Sequence, residues 1–104
     1  MKNKQNTGPY SIGQDVWPGL AKLNEECGEL VQVIGKIIAV GGNTGELHWD
    51  GTDLKKRFEE ELADVLAAVE FVRENNDLDF AAISLRKNKK VLKYRIWHHG
   101  PWQD

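Results

Sequence analysis

The 104-residue chain is long enough for one domain with its own hydrophobic core, without disulfide or metal staples. With 40% hydrophobic residues, 29% charged residues and a formal net charge of -2, it has a globular balance and no global pull toward nucleic acid or an anionic membrane. Any anion binding must be local, and the single cysteine, Cys27, excludes an intramolecular disulfide and a Cys-rich zinc site.

Residues 1–14 are polar, with Gly8, Pro9 and Gly13, and read as an N-terminal arm. They hold no apolar signal-peptide core, and no later run approaches the roughly 18 apolar residues that span a bilayer. The expectation is a soluble cytoplasmic protein, residues 1–104 forming a single domain. Helical periodicity begins near Pro18, with Asp15 as a candidate cap. Leu20, Leu23, Cys27, Leu30, Ile34 and Ile37 then follow steps of three and four to about Ala39. The stretch GGNTG at 41–45 ends this helix, and irregular sequence continues until Thr52 or Asp53 can cap the next.

The second helix is predicted over residues 54–74. Leu54, Phe58, Leu62, Val65, Val69 and Val72 fall within roughly 80° of arc, an ordinary core-facing stripe. Glu61 projects into the middle of it, and a lone buried carboxylate is costly unless it is protonated, paired or bound to a cation. Asp79 is a good N-cap for a third helix over 80–97, and Leu78 with Ile83 stands at the spacing of a hydrophobic staple. Gly100 and Pro101 stop that helix within the tail 98–104. Nothing alternates with period two for long enough to need a sheet, so the class is all-α. The first helix carries Val31, Ile38 and Val33 beside its main stripe. An amphipathic helical bundle completed by oligomerisation, as a homodimer or homotetramer, would cover them.

The first helix contains EECGEL, in which Glu26 and Glu29 lie about 60° apart on the border of its apolar face. The second contains EELAD, in which Glu61 and Asp64 repeat the spacing. If the two stripes pack, four carboxylates converge and repel at neutral pH. A hard divalent cation is the natural counter-charge: Mg²⁺, with Mn²⁺ as a substitute, takes oxygen ligands and combines carboxylates with waters and phosphates. The alternative is chance, since such pairs are common on helices.

In the third helix Arg86, Lys90, Lys93 and Trp97 lie within about 60° of arc, a stripe that an anionic partner would stabilise. A solvated face with stems over apolar surface is the other reading. Lys22, about one turn before Glu26, is either a surface ion pair or a phosphate contact. Cys27 is expected in the core, Trp17 against the start of the first helix, and His98 and His99 as a frayed end rather than metal ligands.

EECGEL followed by EELADV, with LAKLNEECGELVQVI before and RKNKKVLKYRIWHHG after, resembles the all-α nucleoside triphosphate pyrophosphohydrolases, specifically the MazG-like branch. The resemblance covers roughly residues 17–99. It implies hydrolysis of a nucleoside triphosphate, or its deoxy form, to monophosphate and pyrophosphate. By matching positions it makes Glu26, Glu29, Glu61 and Asp64 Mg²⁺ ligands and Glu25 a base or outer carboxylate. Substrate contacts are expected from Lys22, Arg86, Lys90, Lys93, Trp97 and Trp49, with neither membrane nor nucleic acid as partner. Residues 41–53 depart from the family pattern as an insertion. They read as a flap in which Trp49 and His48 meet a base, or as a loop that Trp49 pins to the surface. Two other functions stay open: a phosphoribosyl-ATP pyrophosphohydrolase, and a non-catalytic helical module in which Glu61 pairs with Arg or Lys.

Overall fold

Two aspartates begin two of the three helices. The computed structural model describes residues 16–100, and these form α1 (Leu20–Ala39), α2 (Leu54–Asn75) and α3 (Phe80–His99), with no strand among the described residues. The class is all-α. Asp53 accepts from the Lys56 N–H at 3.1 Å and Asp79 from the Ala82 N–H at 2.9 Å, each satisfying a backbone donor that the first helical turn leaves free. None of the described helices is long and apolar enough to cross a membrane.

The start of α1 differs from the expectation. Asp15 lies outside the described residues, and the helix opens two residues after Pro18, behind Gly19, which has φ +89° and makes no side-chain cap. A Cβ built on Gly19 would lie 2.6 Å from the Phe71 ring and 3.1 Å from Val72. Glycine is required there on both counts, backbone conformation and close approach. The other end of α1 closes with two glycines. The Gly42 N–H donates to the Ile37 carbonyl at 2.8 Å and the Gly41 N–H to the Ile38 carbonyl at 2.9 Å, a Schellman arrangement with Gly41 left-handed.

Helices α1 and α2 form an antiparallel hairpin. At one end Gly19 meets Phe71, and Asn76 Nδ2 donates to the carbonyls of Pro18 (2.9 Å) and Val72 (2.8 Å). Near the other end Lys36 pairs with Asp50 at 3.7 Å. The buried side chains are Val33, Leu54, Ala68, Val72 and Glu61. On α2 the inward line therefore runs Leu54, Glu61, Ala68, with Phe58, Val65 and Val72 beside it, while Leu62 and Val69 are exposed. The stripe is turned so that Glu61 sits on its centre line.

On α1 the inward line runs through Glu26, Glu29 and Val33, and Leu20, Cys27 and Ile34 face outward. Cys27 is thus exposed, against the expectation of a core position. The reason is that the apolar surface of α1 spans two faces and a single partner helix covers one of them. The uncovered face, with Val16, Trp17, Leu20, Leu23 and Cys27, lines an apolar hollow of about 650 Å³. Trp17 lies at the start of α1 but remains half exposed.

Helix α3 has no buried residue. It meets the hairpin near its own start, where the Arg73 guanidinium lies 4.8 Å from the Phe80 ring centroid. The described residues form a flat body, 58 × 41 × 15 Å along its principal axes. Among the described residues no further helix packs along the hairpin.

Candidate metal centre

The register of the hairpin decides which carboxylates meet. Counting seven residues up α1 from Gly19 and seven down α2 from Phe71 sets Glu26 opposite Asp64, and ten sets Glu29 opposite Glu61. Because both pairs have the same i, i+3 spacing, two helices running in opposite directions hold them at the same height. One ligand oxygen each of Glu26, Glu29 and Glu61 lie within 4.8 Å of one another. Asp64 is exposed and stands beside Glu26 on a cavity of about 330 Å³ that Lys22 and Phe71 also line.

Glu61 is 4% exposed. Its Oε2 accepts from Arg57 Nε at 2.6 Å, one turn earlier on α2, whereas Oε1 is buried without a partner. Glu26 Oε1 is also buried and unpartnered. Burial raises the pKa of Glu26 above the ordinary glutamate range, and the neighbouring charges of Glu29 and Asp64 add to the effect. The guanidinium of Arg57 is held protonated more firmly still, first by its hydrogen bond to Glu61 and then by that carboxylate's charge, with Glu29 contributing. Arg57 was not singled out from the sequence, although its i, i+4 spacing to Glu61 is the signal that finds it.

The remaining candidates lie apart from this cluster. Glu25 is exposed and pairs with Lys22, whose own pKa that pairing raises. Lys22 is thereby a surface ion pair whose stem borders the cavity. Arg86, Lys90 and Lys93, joined by Lys89, line a groove of about 250 Å³ on α3 itself. Since α3 meets the hairpin near its own start and does not pack along it, one chain does not bring this stripe to its own carboxylates. Trp97 is exposed and tilts against Tyr94 at 5.5 Å. Trp49 is 88% exposed, tilted against His48 at 5.6 Å, and does not pin its loop. The loop is instead shaped by Asp50, whose carboxylate accepts from the Thr52 N–H at 3.0 Å and is held below its usual pKa first by the Thr52 side chain and then by that backbone bond. His98 and His99 belong to the last turn of α3 rather than to a frayed end.

No known protein family, curated protein or solved structure matches this chain. The site is therefore read from its own chemistry. The donor set is all oxygen, which suits a hard cation and not zinc. Two orphaned buried oxygens on carboxylates that cluster with a third are groups that such an ion would satisfy. The oxygen shell of Mg²⁺ is about 4.2 Å across and that of Ca²⁺ about 5 Å, so spacing within 4.8 Å does not itself choose between them.

Proposed function

We propose that the protein is a Mg²⁺-dependent nucleotide pyrophosphohydrolase, cleaving a nucleoside triphosphate or its deoxy form between the α and β phosphates. The observation that carries this reading is the meeting of Glu26, Glu29 and Glu61, with an oxygen of Glu26 and of Glu61 buried and unpartnered. Packing alone gives no reason to turn the middle of an apolar stripe into a carboxylate. Glu26, Glu29 and Glu61 would hold the ion, and Asp64 would join them from the cavity rim. Bound there, Mg²⁺ or Mn²⁺ supplies neutralisation of phosphate charge and orients the α-phosphate for in-line attack.

The cavity between Lys22, Glu26, Asp64 and Phe71 supports phosphate entry beside the carboxylates. Water adds to the α-phosphorus, the bond to the bridging oxygen breaks, and pyrophosphate leaves. The proton that the water loses would pass to a carboxylate that does not hold the ion, the role the resemblance implies for Glu25. The basic stripe enters through assembly. Helix α3 bears six Lys and Arg residues and no acid; with a chain total of -2, the remainder carries -8. A homodimer or homotetramer that closes the bundle would set the Arg86, Lys90 and Lys93 stripe of one subunit against the acidic hairpin of another.

The Arg57–Glu61 pair favours a second reading, a non-catalytic helical module in which Glu61 is a structural ion-pair partner. Pyrophosphate release separates the two. With Mg²⁺ and a panel of NTPs, dNTPs and phosphoribosyl-ATP, the enzyme releases pyrophosphate, and the preferred substrate distinguishes pool nucleotides from the histidine-pathway type. Glu61→Gln abolishes release, and activity that survives it would defeat this site. Light scattering on a sizing column tests the assembly.

A further inference from the structure

Arg57 divides the two oxygens of Glu61. Its Nε holds Oε2 at 2.6 Å, while Oε1 is left buried and unpartnered, and one oxygen of Glu61 lies within 4.8 Å of oxygens of Glu26 and Glu29. Two features support the division. Arg57 and Glu61 are one turn apart on the same helix, so the pair forms from local geometry. The Glu61 side chain is only 5% exposed, which leaves Oε2 little water as an alternative partner.

We infer that Arg57 is a positioning residue that selects the cation: by occupying Oε2 it leaves Glu61 a single oxygen to donate. Mg²⁺ and Mn²⁺ accept carboxylates through one oxygen in a tight octahedral shell, whereas Ca²⁺ takes more oxygens and commonly binds a carboxylate through both. Carboxylate spacing leaves that choice open, and the Arg57 contact supplies it. The inference rests on the metal-binding reading above and adds a discriminating residue to it. Arg57 acts through Glu61, as groups behind a ligand orient it and tune the site.

The test measures binding rather than turnover. Calorimetric titration of the full chain with Mg²⁺, Mn²⁺ and Ca²⁺ is compared between wild type and Arg57→Gln. Wild type should prefer Mg²⁺ and Mn²⁺ to Ca²⁺. In R57Q the preference should move toward Ca²⁺ on the order of tenfold, the lower end of what a residue behind a ligand contributes. Equal gains for all three ions would mean that Arg57 merely repels cations, overturning this inference and leaving the metal site intact. A wild type that binds neither Mg²⁺ nor Mn²⁺ would overturn the metal site itself, and this inference with it. Independently of how R57Q folds, a crystal structure of the wild type with Mn²⁺ should show Glu61 bound through Oε1 alone with Arg57 still on Oε2. Both oxygens on the ion, or Arg57 displaced, would overturn it.

Discussion

Substituting Glu61 by Gln removes one negative charge from the centre of the hairpin and keeps its shape. The amide oxygen can still accept from Arg57 Nε, and the amide nitrogen then occupies the place of the unpartnered Oε1, in a side chain that clusters with Glu26 and Glu29. Two carboxylate charges 4.8 Å apart repel by about 3.5 kcal/mol at an effective dielectric of about 20. Glu26 and Glu29 are only half buried, so solvent screens most of this. The loss of charge on the Arg57 pair works in the opposite direction. A hydrogen bond to a charged group adds about 1.5–3 kcal/mol. The two effects are of similar size, so the net expectation is that Glu61→Gln leaves the stability of the metal-free protein within about 1 kcal/mol of wild type, or roughly 4–8 °C in Tm. In Mg²⁺ wild type becomes clearly the more stable. Wild type gains about 2.7 kcal/mol when the ion is present at about 100 times its Kd, and the variant gains little. Thermal melts in chelator and in Mg²⁺ read both effects. A variant that melts far below wild type in chelator would show that Glu61 serves as a structural partner of Arg57. Identical responses to Mg²⁺ would refute the reasoning from the orphaned oxygen.

The pKa of Glu26 gives a pH signature. Being higher in the folded than in the unfolded chain, it contributes stability that is full below the unfolded value and lost as pH rises through the folded value. In chelator, Tm should fall across that window, the fall should shrink in Glu26→Gln, and the shift produced by Mg²⁺ should grow with pH; an unchanged profile in the variant would exclude Glu26 as its source. Gly19→Ala combines a disfavoured backbone conformation with a collision at Phe71 and should cost about 2–4 kcal/mol by denaturant unfolding. A cost below about 0.5 kcal/mol, the range of ordinary surface changes, would show that this contact does not set the register. Replacing Arg86, Lys90 and Lys93 together by Gln should raise KM for a triphosphate on the order of tenfold while leaving the Mg²⁺-induced melting shift unchanged; a lost shift would instead tie the stripe to the metal centre.

The helices were legible because their punctuation is local. Asp53 and Asp79 cap by their own side chains, and Gly41 and Gly42 close α1 by their own backbones. The start of α1 was not, because Gly19 is fixed by Phe71, a residue 52 positions away in the chain. The same contact explains which face of α1 turned inward. Apolar residues line two faces of that helix, so periodicity admits both, and the choice falls to the line bearing Glu26, Glu29 and Val33. Cys27 was consequently assigned to a core it does not enter. The approach of Glu26 and Glu29 to Glu61 was legible from matched spacings. Asp64 beyond the cluster, Glu25 drawn off by Lys22, and Arg57 on Glu61 depend on side-chain reach, which spacing does not encode. The position of α3 was the least legible, since a basic stripe states what it attracts and not where the helix lies.

The register carried by Gly19 and Phe71 makes the molecule unequally tolerant of changes in length. Adding or deleting one residue in α1 between Gly19 and Glu26, or in α2 between Asp64 and Phe71, rotates a carboxylate by about 100° and shifts it by about 1.5 Å along the axis. Either error separates the oxygens that now meet. The turn joining the helices lies beyond the last of them, and doubling its length costs about 0.6 kcal/mol in closure entropy. Residues 41–53 can therefore lengthen, shorten or be exchanged in related chains while the ligand geometry stays as it is. Variation between homologues should be concentrated there, and insertions should be missing from the segments between the glycine contact and the carboxylates.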